Sequence, residues 1–199
     1  MSWLASAKWI VPLFILVKLV MCRYVDIGSP VLDCVRMRND KWRALVFGTG
    51  HYHTDDNQRF VGTWVHTGTP FNSAFKIERI TKYPEPLYFI KMINTQEYIM
   101  GGPLTTTSES RIPIFSNHKN VNTTRDHDGV FGFEKAKDER GAYNGAYYLK
   151  VVHYDHYVIG SHSQADPPAG ADGFYLLQMD RRYQPTMTRE HMFWIEQCS

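Results

Sequence analysis

Two short stretches concentrate imidazole and carboxylate: His51-Tyr52-His53-Thr54-Asp55-Asp56 and His153-Tyr154-Asp155-His156. His162 follows the second, and His127 sits within Arg125-Asp126-His127-Asp128. Neutral imidazole and carboxylate together ligate zinc or copper, and the spacing of His51 and His53 puts both rings on one face of a strand. The same residues also make ordinary polar turns. Both readings remain open, and neither a metal nor any other cofactor is assigned.

Other chemistry is sparse. Gly-x-Ser-x-Gly, His-Glu-x-x-His, a phosphate loop and a dinucleotide fingerprint are all missing from the sequence, which leaves no motif for nucleophilic, metal-assisted or nucleotide-dependent catalysis. No catalytic residue is assigned, and a non-enzyme is expected. Glu78, Glu134 and Glu196 recur in one sequence context, Phe-x-(Ile/Phe)-Glu or its close variant. Glycoside cleavage needs two carboxyl groups in different environments, whereas threefold equivalence suits a structural duty. Exposed aromatics beside carboxylates offer a sugar-binding surface, because Tyr and Trp join an apolar face to a hydrogen-bonding tip. The candidates are Tyr52, Trp64, Tyr143, Tyr154 and Tyr183, with Asp55, Asp155 and Asp172. Arg181 and Arg182 can hold a sulfate bidentately. The ligand-binding set expected from the sequence is therefore His153, Tyr154, Asp155, His156, Arg181 and Arg182.

These residues must be positioned by elements that repeat. Tyr88 to Gly101 and Tyr147 to Gly160 align without a gap, matching at every apolar or aromatic position, at Lys91 and Lys150, and at the closing Tyr and Gly. A second element occurs three times, as Ala74-Phe75-Lys76-Ile77-Glu78, Val130-Phe131-Gly132-Phe133-Glu134 and Met192-Phe193-Trp194-Ile195-Glu196. Its copies recur at intervals of roughly 60 residues. Each long repeat reads as a β-hairpin, with alternating β-branched and aromatic residues flanking a polar tip, Asn94 to Glu97 or His153 to His156. Third strands are expected at Arg111–Phe115 and Gly173–Met179. The first unit is expected to use Arg43–Phe47, Arg59–Val61, Trp64–His66 and Phe75–Ile80. Twelve strands in three four-stranded units follow, and with Gly- and Pro-containing turns they suggest a closed barrel capped by hairpins.

This all-β pattern resembles the β-trefoil, the architecture of fibroblast growth factors, ricin-type lectins, Kunitz-type inhibitors and the trefoil half of insect 30-kDa lipoproteins. The resemblance covers residues 43–198 and rests on the repeats alone. The Gln-x-Trp motif of ricin-type repeats is absent. The resemblance implies a binding protein, first a glycan-binding one. The alternative is an extracellular protein-binding factor, inhibitor-like or cytokine-like, whose presenting loop could be Thr105–Arg111 or Gln164–Asp172 with its stiff Pro167-Pro168.

The ends of the chain set the compartment. Lys8 precedes the apolar run Trp9 to Val17, and residues 1–22 read as a secretory signal peptide. The run is short of the roughly 20 residues that span a bilayer, so no stable membrane insertion of the mature chain is expected. Cleavage takes Lys plus Arg from 22 to 20, against 20 Asp plus Glu, and this near-neutral balance gives no pull toward nucleic acid. It also removes Cys22, leaving Cys34 and Cys198 as an even pair for a disulfide in an oxidising compartment. Asn122-Thr123-Thr124 is a glycosylation sequon. The expected organisation is a signal peptide at 1–22, an extension at 23–42 and one domain at 43–199, secreted and extracellular.

Overall fold

The computed structural model describes residues 27, 31–53, 58–64, 68–102, 111–118, 127–138, 140–164, 174–180 and 187–198. Twelve strands run through them in chain order: β1 (Val31–Asn39), β2 (Leu45–His53), β3 (Gln58–Trp64), β4 (Phe75–Arg79), β5 (Leu87–Met92), β6 (Tyr98–Gly101), β7 (Arg111–Asn117), β8 (Phe131–Lys137), β9 (Tyr143–Val151), β10 (His156–Gln164), β11 (Phe174–Asp180) and β12 (Met192–Gln197). A 3-10 turn, Arg189–His191, leads into β12.

The alternation that marks these segments is the alternation that buries them. In β4, Phe75 and Ile77 point inward, and in β12 Phe193 and Ile195 do the same. Phe131 of β8 is equally buried, while Phe133 is half-buried and packs edge-on against Tyr88 and Tyr147. The three Phe residues of the short repeat therefore meet in one core, joined by Ile90, Leu149, Met37 and Ile114. Burying a side chain of this size stabilises the fold by about 1.5–3 kcal/mol.

All strand pairings are antiparallel. The expected β-trefoil of three four-stranded units is corrected by their order. The strands form one twelve-stranded sheet, and its ladders run across every border between the expected units. β5 pairs with β8, β8 with β9, β9 with β12, β12 with β1, β1 with β4 and β4 with β5, which closes a barrel. The hairpin β2–β3 and strands β7 and β11 are stitched to one another by β3–β7, β3–β11 and β7–β11 pairs. The physical reason is edge satisfaction: a strand at the border of a unit has unpaired amides and carbonyls that pair with whichever strand lies beside it, so the ladders ignore the unit divisions.

The first strand also differs. It lies at Val31–Asn39, inside the segment read as an extension, and Trp64 ends β3 instead of opening a third strand. Asp33, Arg36, Arg38 and Asn39 hide β1 from a hydrophobicity reading. Yet Val35 and Met37 are buried in the core, and the strand pairs with β12 from Val35↔Gln197 to Asn39↔Phe193. The expected Cys34–Cys198 disulfide is present, with Cα atoms 5.5 Å apart.

The matched polar positions of the long repeat have a structural use. Lys91 lies 5.2 Å from the Tyr98 ring and Lys150 lies 5.3 Å from the Tyr157 ring, so the same cation–π pair occurs twice. The closing glycines allow close approach: a Cβ on Gly160 would sit 2.8 Å from Asn39, and one on Gly101 would sit 3.0 Å from Met179. The recurring glutamates are tied down as well. Glu134 accepts from the Tyr157 hydroxyl at 2.7 Å, Glu196 accepts from Arg38 Nε at 2.6 Å, and Glu78 pairs with Lys76 at 2.9 Å.

The unmatched tip of the first copy of the long repeat carries a buried ion pair. Glu97 Oε2 accepts from Arg59 Nε at 2.8 Å, from Ser116 Oγ at 3.0 Å and from Thr95 Oγ1 at 3.2 Å. Both charged side chains are largely shielded, at 11% and 2% exposure. Removing one partner of such a pair strands the other charge. Glu97→Ala should therefore lower unfolding stability in urea by about 3 kcal/mol, and a loss under about 0.5 kcal/mol would show that the pair carries little of the fold.

Candidate functional site

The hairpin β8–β9 and the segment before β12 face each other across an open cleft of about 700 Å³. One wall is the hairpin tip. Asp138 builds it: its Oδ1 accepts from the Arg140 amide at 2.9 Å and the Ala142 amide at 2.8 Å, while the Asp138 amide donates to the Ala142 carbonyl at 2.8 Å. This is the local side-chain-to-backbone bonding that makes Asp a turn residue. Lys137, Arg140, Asn144 and Tyr148 then line the cleft. Asn144 is fixed through its Oδ1, which accepts from the Ala146 amide at 2.9 Å. Tyr148 is half-buried, and burial pushes its phenol above the usual value despite a hydrogen bond with the Lys137 backbone.

The opposite wall is Met187, Thr188, Arg189 and Met192, with Asp40 at the base. Ala136, Ala146 and Met192 form a small buried cluster under the cleft, against which Tyr148 and Trp194 pack. Asp40 holds this wall. Its Oδ2 accepts from Arg189 Nε at 2.6 Å, and its Oδ1 accepts from Trp194 Nε1 at 2.8 Å. Burial pushes the Asp40 carboxyl up, but the hydrogen bonds from Arg189 and Trp194, with the charges of Arg189 and Arg43, outweigh it and keep the group below its ordinary value. Arg189 rises in turn, chiefly through its hydrogen bond to Asp40.

The histidine-rich tip is built differently. Val152 to Asp155 form the turn between β9 and β10, and Asp155 takes a left-handed conformation with φ of 57°. Tyr154 is half-buried against the main core and hydrogen-bonds to Asp128. Burial first, then that bond and the Asp128 charge, raise its phenol. His153 Nε2 lies 3.9 Å from Asp128, and Asp155 is paired with Lys150. His156 is half-buried at the start of β10. The four tip residues are thus brought together, with Tyr154 bonded to Asp128, His153 near the same carboxylate and Asp155 on Lys150.

The remaining candidates scatter. Arg181 and Arg182 follow β11 and lie outside the described residues, as do Tyr183, Asp55, Asp56, Asp172, Asn122 and residues 1–22, the segment read as a signal peptide. His51 stacks on Phe174 at 5.8 Å, and the His127 Nδ1 accepts from the Gly129 amide at 3.0 Å. Among the described residues, no three His, Cys, Asp or Glu side chains gather as metal ligands. Trp64 packs on Phe47, Tyr52 lies under Arg59, and exposed Tyr143 lies under Lys135. None of the cleft residues belongs to the ligand-binding set expected from the sequence. The readable signal for them was Asp138 followed by Gly141 and then Asn144, a turn signature at the tip of a hairpin.

No family model matches the chain, and no curated protein matches it. Solved structures similar to it include β-trefoil proteins. The BEL beta-trefoil is 14% identical, with a TM-score of 0.55 over 88% of this chain and 99% of that one. The Rhizoctonia solani agglutinin is 7% identical, with a TM-score of 0.56 over 87% and 99%. A salivary protein from Culex quiquefasciatus, of the Cysteine and Tryptophan-Rich family, is 12% identical, with a TM-score of 0.56 over 90% and 99%. At these identities the likeness is one of fold.

The position of Asp40 has a pH signature. A carboxyl with a lowered folded-state value stabilises the protein above its unfolded value, and that contribution is lost as pH falls through the folded value. Urea unfolding should therefore show stability declining below about pH 4, with a shallower decline in Asp40→Asn, which is already weaker at neutral pH. An unchanged acid limb in Asp40→Asn would contradict the role given to this carboxylate.

Proposed function

We propose that this protein is a secreted, non-enzymatic glycan-binding protein whose site is the cleft between the β8–β9 tip and the segment Met187–Met192. The observation that carries the reading is the mixed lining of that cleft. Tyr148, Met187 and Met192 supply apolar surface next to Asn144, Thr188 and Arg189. A sugar ring has an apolar face and a rim of hydroxyls, and an aromatic with a few fixed polar groups is what holds it. The pre-set turn at Asp138 lowers the ordering cost of binding. A fold likeness to an agglutinin supports a binding role. Secretion rests on the apolar N-terminal run and on the Cys34–Cys198 disulfide, which suits an oxidising compartment. Among the described residues, no helix is long and apolar enough to cross a membrane.

A glycan array on the oxidised mature chain tests this, followed by titration of the best-bound glycan. Discrete sugars should bind. Tyr148→Ala, with its fold checked by circular dichroism, should lose about tenfold in affinity, the equivalent of about 1.4 kcal/mol. Full binding by Tyr148→Ala together with loss in His153→Ala or His156→Ala would move the site to the histidine tip. A blank array would overturn the function.

A further inference from the structure

The charges around the cleft are not equally available. Asp40, the deeper carboxylate, is consumed internally, with one oxygen on Arg189 and the other on Trp194. Asp138 spends Oδ1 on two backbone amides of its own turn. Arg189 is partly neutralised by Asp40 but keeps 60% of its side chain exposed. Lys137 and Arg140 stand on the opposite wall, both exposed, and neither has an ion-pair partner among the described residues. Glu139, between them in the chain, lies outside those residues. The described part of the cleft thus presents cations whose charge is open to a ligand and carboxylates whose oxygens are largely engaged.

We infer that the cleft selects an acidic glycan, a sugar carrying a carboxylate or a sulfate, with the anionic group held by Lys137 and Arg140 and the ring lying toward Tyr148. This rests on the glycan-binding reading and narrows it to a substrate class. Hydrogen bonds from cations to an ionised group are the strong ones, and a guanidinium can meet either anion with two parallel donors. Asp138 holds the turn through backbone bonds, so Lys137 and Arg140 can change without dismantling the wall that carries them.

The test is titration of the oxidised mature chain with matched ligands: galactose, galacturonate and galactose 6-sulfate, as methyl glycosides and as short oligomers. At least one acidic form should bind about tenfold or more tightly than its neutral partner, and the preference should shrink as salt is raised. The carboxylate and sulfate arms tell which anion is taken. Lys137→Ala/Arg140→Ala should abolish the preference while leaving residual neutral-sugar binding, and Lys137→Glu/Arg140→Glu should reverse it. Equal binding of neutral and acidic forms, or a preference untouched in both double variants, would overturn this inference and leave glycan binding standing. No binding of any sugar, neutral or acidic, would overturn both.

Discussion

Antiparallel pairing of β1 with β12 is the interaction on which the rest of the structure depends. It joins the two ends of the described chain, and without it the barrel would be an open sheet with exposed edges at β1 and β12. Three reinforcements sit on this one ladder. Arg38 forks onto Glu196 across the strands, the Cys198 amide donates to the Cys34 carbonyl at 3.2 Å, and the Cys34–Cys198 disulfide clamps the far end. The bridged cysteines are 164 residues apart in sequence. In the chain-entropy picture such a bridge limits the unfolded state by about 5 kcal/mol. A ladder between chain ends carries the largest loop-closure cost in the fold, and it is the ladder that received the covalent link.

The same closure builds one wall of the cleft. Where β1 ends, Asn39 Nδ2 donates to the Glu190 carbonyl at 2.7 Å, the Asp40 amide donates to the Met192 carbonyl at 2.9 Å, and Asp40 receives Arg189 and Trp194. The segment entering β12 is thereby held against β1 by backbone and side-chain bonds together. The opposite wall needs no such help, because Asp138 organises its own turn. One wall is local and the other depends on the meeting of the chain ends, so stability and cleft geometry are linked through Asp40.

The all-β class, most strand positions and the disulfide were legible in the sequence because they rest on local alternation and on parity of cysteines. Phe75/Ile77 and Phe193/Ile195 show period two and are buried as that period requires. β1 was not legible, since its inward residues end in Asn39, a polar group buried for its bonds to the β12 side of the barrel. The trefoil division failed for a related reason: repeats report which strands are alike and not which strands pair, and the pairs β1–β12, β3–β7, β3–β11 and β7–β11 that tie one expected unit to another are long-range. The cleft was obscured because its parts, Asp40, Asn144 and Arg189, are far apart in sequence. The histidine tip, dense in functional-looking residues, is dense partly because Tyr154 must reach Asp128 and Asp155 must meet Lys150.

The proposed site for the ligand is the cleft and not the repeated hairpins. Backbone amide shifts followed by NMR during titration with the best-bound glycan test this most directly. Perturbations should concentrate in Lys137–Tyr148 and Met187–Met192, with Asp40 and the Trp194 indole responding at the base. Perturbations concentrated in Val152–His156, with Lys137–Asn144 silent, would contradict this placement.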